Sequence, residues 1–255
     1  MIDKNTLSKM YENISINNAD IAFCGFQVLG SNLRENDTHV LTKICAGNKC
    51  AVITNEEAIR RTVSTNPNEV LHGYIWRNLY RNKILKNNNI KFSVGIKISE
   101  DFMFILEVLN KCKKVVIIPE NLYIYNINDN SVTTKYINTL HDDMYFINQW
   151  MLKNICEELP NISEGYYCCV ANTYLGSIQN VCRRGTPYAL IERIKYAYTL
   201  KKKYDYMKII KQVWLKKSFF RKKAWIAMIF FRLHLDFIYI ILFSLKEYKG
   251  STKSN

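Results

Sequence analysis

Apolar and polar positions alternate along this chain in two rhythms, one of strands and one of helices. Residues 3 to 17 place Leu7, Met10, Tyr11 and Ile14 at helical spacing, which predicts an amphipathic helix ending at "NNAD". "IAFCGFQVL" follows as a β-rich run, so the order is helix, turn, strand. From 31 to 53 the chain is polar, with Asn, Asp, Gly and Lys clusters that predict loops and short strands. "TNEEAIRRTV" sets Glu57 three residues after Thr54, a capping-box pattern that predicts a helix start. "GYIWRNLYRNKILKNN" carries Ile75, Leu79, Ile84 and Leu85 and reads as an aromatic-rich helix or a strand–helix junction. "NIKFSVGIKI" reads as extended with a Gly bend.

"SEDFMFILEVLNKC" predicts a helix with Ser99 as N-cap and a core stripe of Phe102, Ile105, Leu106 and Leu109. "KKVVIIPENLYIY" then supplies a strand with Pro119 as its stop. Beyond Thr134 the strand rhythm fades, and "HDDMYFINQWMLKNICEEL", "YYCCVANTYLGSIQNVCRR" and "YALIERIKYAYTLKKKYDYMKIIKQVW" all have helical period. The predicted fold class is therefore α/β followed by an all-helical C-terminal region.

Composition supports a folded protein: 48% of the 255 residues are apolar, against nine Gly and four Pro. The net charge of +14 is unevenly placed. Residues 1–182 hold 18 Lys/Arg and 18 Asp/Glu, whereas 183–255 hold 18 and 4. Such asymmetry points to a separate electrostatic task, with an anionic membrane surface or nucleic acid as common partners. The eight cysteines show no C-x-x-C pair, and several sit in apolar strings, so buried reduced thiols are expected. The N-terminus "MIDKNTLSKMYENI" has no apolar signal-peptide core, which predicts a cytoplasmic chain.

The acidic pair Glu100–Asp101 stands in the first turn of its helix, where backbone N–H groups and the helix dipole favour anions. That alone is ordinary helix chemistry. Phe104 and Ile105, three and four residues beyond Asp101, put its carboxylate on an apolar face. Partial burial there would raise its pKa, as a general base requires.

The pair also keeps particular company. "WRNLYRNKIL", "F-x-x-G-I-x-x-x-E-D-F-x-F", "K-K-V-V-I-I-P-E-N-L-Y-I-Y" and "N-S-V-T-T" follow one another within residues 74–134. This order resembles the acceptor-side half of bacterial family 2 glycosyltransferases of GT-A type, which build capsular and other surface polysaccharides. The resemblance covers residues 1–135. It implies an incomplete GT-A-like sheet layer, Asp101 as the catalytic base and Glu100 as its neighbour. It also implies a sugar-stacking Trp76, substrate contacts from Tyr123 and Tyr125, and a loop contributing Ser131 and Thr133. The chain reads Arg77–Asn78 where the family more often has Asn and Lys, and simple sheet packing is an equal reading for the two tyrosines.

The family's nucleotide-binding half and its metal-ligating D-x-D motif do not occur in this sequence. The nearest imitations, "E-N-D" at 35–37 and "HDD" at 141–143, read as solvated surface. No G-x-G-x-x-G or P-loop replaces them. The resemblance therefore implies no cofactor in this chain, although Mn2+ or Mg2+ is expected for a full-length relative, and it implies a chain that is inactive or incomplete by itself. A truncated gene, a split gene with a separate N-terminal half, or a misplaced start are all compatible.

The last stretch, "KKKYDYMKIIKQVWLKKSFFRKKAWIAMIFFRLHLDFIYIILFSLKEYKG", interleaves basic clusters with aromatics. Its longest uncharged runs are eight and nine residues, short of the about twenty a spanning helix needs. Membrane-surface helices at the inner face of the cell membrane are expected, and nothing resembles an RRM, KH or zinc-finger pattern, so nucleic acid is not expected. The expected division is 1–135 acceptor-side domain, 136–200 helical extension and 201–255 membrane-associating helices. The expected task is sugar transfer to a surface-polysaccharide or lipid-linked saccharide acceptor; the alternative is a noncatalytic membrane-surface subunit that supports another transferase.

Overall fold

The apolar runs at 21–24 and 115–118 form the centre of a four-stranded sheet, and both are buried on both faces. In this computed structural model, which describes residues 2, 4–29, 41–47, 49–67, 69–126 and 135–251, the chain divides into two units. Unit 1 comprises residues 1–64 and 68–128, and unit 2 comprises 65–67 and 129–255. Unit 1 contains α1 (Thr6–Ile16), β1 (Ile21–Leu29), β2 (Ala51–Thr54), α2 (Asn55–Val63), β3 (Asn78–Tyr80), α3 (Asn82–Asn87), α4 (Glu100–Lys111) and β4 (Lys114–Asn126). The sheet order is β2-β4-β1-β3, with β1 parallel to β4 and both outer pairs antiparallel.

Period-2 alternation sends Ala22, Cys24, Val116 and Ile118 to one face, where they pack with Met10 and Ile14 of α1. Ile21, Phe23, Val115 and Ile117 serve the other face; α2 packs on β2 and β4, and α4 packs against α2. On α1 the buried stripe is Thr6, Met10 and Ile14, while Leu7 and Tyr11 are exposed. The Thr6 hydroxyl donates to the Leu122 carbonyl at 2.7 Å, which ties the helix start to β4. Thr54 caps α2 as expected, accepting from the Glu57 N–H at 3.2 Å, but the Glu57 carboxylate turns to Arg60 and Arg61.

One expectation is corrected. Pro119 does not stop its strand, because β4 runs on to Asn126 through a bulge. Cys24 pairs with Ile118, Gly25 with Asn121 and Phe26 with Tyr123. The extra residues on β4 leave Pro119 where its missing N–H costs no ladder bond. Segment 89–98 has the expected bend at its glycine, Gly95 at φ +94°, and joins no strand of the sheet.

Unit 2 is helical: α5 (Leu140–Met151), α6 (Ser163–Val181), α7 (Leu190–Lys203), α8 (Tyr206–Val213), α9 (Lys222–Arg232) and α10 (Asp236–Ser251). The division drawn in the sequence at 200/201 falls inside α7. Helix α6 is the central element, and its buried polar groups are matched. Asn148 donates to Thr173 at 2.8 Å, and Asn180 exchanges two bonds with the backbone of Ile137. Asp143 of the "HDD" triplet is buried rather than solvated, held by the Thr139 hydroxyl at 3.0 Å. All eight cysteines are free thiols, and burial pushes Cys24 up to about 11 and Cys112 up to about 12, which keeps them inert.

A Cβ on Gly25 would lie 2.5 Å from Asn121 Oδ1 and 2.9 Å from the Glu120 carbonyl, inside the bulge. Gly25→Ala is expected to lower stability by about 1–3 kcal/mol. Urea unfolding midpoints measure this, and an unchanged midpoint would show that the bulge does not need glycine.

Candidate functional site

The site is built where the start of α4 meets the segment that precedes β3. Ser99, expected as a side-chain N-cap, instead adopts the left-handed conformation, φ +64° and ψ 22°, and makes no capping bond through its hydroxyl. A non-glycine residue rarely takes this conformation, and here it turns the chain sharply into the helix. Glu100 and Asp101 follow in the first turn. The buried face of α4 is wider than the expected stripe: Met103, Phe104, Ile105, Leu106, Val108 and Leu109 are buried, and Phe102 is half-buried.

Opposite this turn, residues Ile75–Arg77 form a single 3₁₀ turn whose first N–H lacks a partner within the turn. The Ile75 N–H donates to the Asp101 carboxylate, so the two segments are joined at the candidate base. Close approach is possible because Gly73 faces α4: a Cβ there would lie 2.9 Å from Phe102 Cδ2 and 3.1 Å from its Cα. Partial burial raises the Asp101 pKa above the ordinary carboxylate value, and the Glu100 charge adds to the rise; the Ile75 bond opposes it. The phenol of Tyr80 is electrostatically coupled to Asp101 and accepts from Asn78 Nδ2 at 3.1 Å.

Beside Asp101 lies a cluster of rings. Trp76 stacks with Tyr74 at 5.1 Å and 12° and with Tyr125 at 5.2 Å and 24°. Tyr123 approaches its indole at 4.4 Å, and Phe26 meets it edge-on at 4.9 Å. His72 continues the stack on Tyr74 at 5.2 Å. Trp76 is thus half-buried among other rings, and the outward aromatic surface comes from Tyr74 and Tyr125, 37% and 39% exposed.

Arg77 and Asn78, the positions that depart from the family pattern, support this cluster from within. The buried Arg77 guanidinium lies 5.6–5.9 Å from the ring centres of Phe26, Phe23 and Tyr74, and its Nη2 donates to the His72 carbonyl at 3.1 Å. Asn78 Nδ2 holds the Tyr74 carbonyl at 2.9 Å.

Of the residues expected from sequence, unit 1 brings Asp101, Glu100, Trp76, Tyr123 and Tyr125 into one region. Ser131 and Thr133 lie outside the described residues, as does "E-N-D" at 35–37. His72, Tyr74, Phe26 and Tyr80 were not singled out. A signal was present for two of these rings: His72 and Tyr74 recur at period two with Trp76, the spacing that sets side chains on one side of the chain. Among the described residues no group of three His, Cys, Asp or Glu side chains could hold a metal ion.

No family model matches the chain. Over 169 residues it is 28% identical to the uncharacterized glycosyltransferase EpsJ of Bacillus subtilis (strain 168), a match covering 63% of this chain and 46% of that protein. Among solved structures, S. aureus TarS 1–349 in complex with UDP is similar with a TM-score of 0.57 at 14% identity, covering 98% of this chain and 64% of that one. The TarS 1–349 complex with UDP-GlcNAc gives 0.50 at 13% identity, covering 98% and 65%. The fold is mixed α/β with a mostly helical remainder and resembles a glycosyltransferase fold. The matches take in less than half of EpsJ and less than two thirds of the TarS chain.

The raised Asp101 pKa has a consequence for stability. A carboxyl whose folded pKa exceeds its ordinary 3.8 stabilises the fold when protonated; that contribution is full below pH 3.8 and is lost as pH rises through the raised value. Asn at this position stays neutral and still accepts the Ile75 N–H. Asp101→Asn is therefore expected to melt at or above the parent at neutral pH, with the gap closing on acidification. Thermal melts across that range test this, and a variant that melts lower at neutral pH would contradict it.

Proposed function

We propose that this chain carries the acceptor side of a family 2, GT-A-type glycosyltransferase site, with Asp101 as the base. The observation that carries the reading is the placement of one half-buried, proton-avid carboxylate against the aromatic cluster, fixed by the Ile75 N–H. A glycosyltransferase relative and a glycosyltransferase-like fold support it.

In the reaction, an acceptor sugar lies on the outward rings of Tyr74 and Tyr125 with one hydroxyl at Asp101. The base takes the hydroxyl proton as the oxygen attacks the anomeric carbon of the donor. The C–O bond to the nucleotide diphosphate breaks, and that group leaves with the electron pair on the opposite side. Asp101 ends protonated, and a raised pKa matches that role. Arg77, Asn78 and Gly73 act indirectly, by fixing the rings and the 3₁₀ turn. The acceptor class is a surface polysaccharide or a lipid-linked saccharide. Contacts to the donor diphosphate are assigned to residues other than those described, and no step here passes through a metal.

The purified chain is expected to bind oligosaccharides on a glycan array and to lose that binding about tenfold or more in Tyr125→Ala, since stacked rings dominate such contacts. With sugar nucleotides and Mn2+ it is expected to show no transfer by itself. Transfer that fell at least about a hundredfold in Asp101→Asn would keep the base and refute the donor assignment. Transfer indifferent to Asp101→Asn, or neither binding nor transfer, would sink the reading.

A further inference from the structure

Helix α10 is apolar on its outward side. Its inward side is fixed: Ile240 is fully buried, and the Tyr239 hydroxyl accepts from Gln179 of α6 at 2.8 Å. At about 3.6 residues per turn, Phe237, Ile241 and Leu245 stack along the opposite side with Leu242 beside them. These four are 44%, 36%, 53% and 55% exposed, respectively. A helix on the surface of a soluble domain ordinarily turns polar residues to water. Here Lys246 provides the exposed charge of this stretch, with its ammonium 5.5 Å from the Phe243 ring at the flank of the stripe.

The apolar surface does not end at the helix. A cavity of about 510 Å3 opens beside Phe237 and is lined also by Tyr198 and Lys202 of α7, by His234, and by the carboxylates of Asp205 and Asp236, the latter paired with Lys201. Tyr198 and Lys202 are exposed, so an aromatic ring and an ammonium stand next to the start of the stripe. The surrounding sequence is strongly basic, with 18 Lys/Arg against 4 Asp/Glu over residues 183–255. Among the described residues no helix is long and apolar enough to cross a membrane.

We infer that the outward face of α10, from Phe237 to Leu245 and continued by Tyr198 and Lys202, is the surface on which unit 2 lies against an anionic lipid bilayer. Charge decides between the occupants. A second copy pressed onto this face would bring like-charged surfaces together, whereas a bilayer with acidic headgroups offers an apolar layer for the stripe and negative charge for the lysines. Each large side chain inserted adds apolar burial, and each lysine near the surface adds attraction, so neither component alone gives full binding.

The test is co-sedimentation of the full chain with vesicles of phosphatidylcholine, with and without phosphatidylglycerol. The parent is expected to sediment with the anionic vesicles only, and less so as salt is raised. The double variant Ile241→Ser/Leu245→Ser is expected to partition at least about tenfold more weakly. Both positions are exposed, so its melting temperature should hold; the single Leu242→Ser, measured beside it, should fall in the same direction. The inference is overturned if these variants bind like the parent or if neutral vesicles bind equally well. It is overturned also if light scattering shows a parent dimer that the double variant converts to monomer, which would give the face to a second copy.

Discussion

The parallel pairing of β1 with β4 is the constraint on which unit 1 depends. Parallel neighbours need a long crossover, and here the chain leaves β1 at Leu29 and returns at Lys114. Everything chemically interesting in unit 1 except Tyr123, Tyr125 and Phe26 is carried by that crossover. The bulge at Gly25 then acts on the pair itself. Extra residues in β4 change its register and increase local twist, so Tyr123 and Tyr125 arrive opposite Phe26 and Val28 beyond the bulge, where Trp76 meets them. A regular ladder would shift this pairing and send alternate side chains to the wrong face.

A second constraint brings the acid to the rings. The carboxylate of Asp101 satisfies the first N–H of the 3₁₀ turn, and the next residue in that turn is Trp76. The base and the centre of the aromatic cluster thus sit on neighbouring segments that meet at Ile75. The contact holds because Gly73 lets the chain approach Phe102 and because Ser99 accepts a left-handed backbone. Such a conformation has a cost of order 1 kcal/mol that the surrounding packing must offset. The buried Arg77 also needs compensation, to which three rings and the His72 carbonyl contribute.

Much of this was legible in the sequence, and the failures have physical causes. The runs "IAFC" and "VVII" announced buried strands because both faces are covered and no polar alternation interrupts them. Thr54 announced a helix start because its capping chemistry is local. Ser99 misled for the same reason in reverse: a residue suited to capping was placed in a turn whose geometry is set by long-range contact with Ile75, which no local pattern records. Pro119 misled because its effect depends on where the partner strand places its acceptors. Asp143 looked solvated beside Asp142, but helical periodicity separates neighbours by about 100°, and only one of the two faces water.

Unit 2 shows how a helix can carry an apolar outward face without the fold closing over it. Tyr174, Lys201 and Asp236 form a buried network: the phenol donates to Asp236 Oδ1 at 2.8 Å, and the ammonium meets Oδ2 at 2.5 Å and the Phe231 carbonyl at 3.1 Å. Buried pairs of this kind contribute little net stability, but they penalise every arrangement that would separate their members. Asp236 is the first residue of α10, and rotating that helix to hide Phe237, Ile241 and Leu245 would pull its carboxylate from Lys201 and strand both charges in the interior. The apolar face is therefore held outward by a polar lock at the helix start.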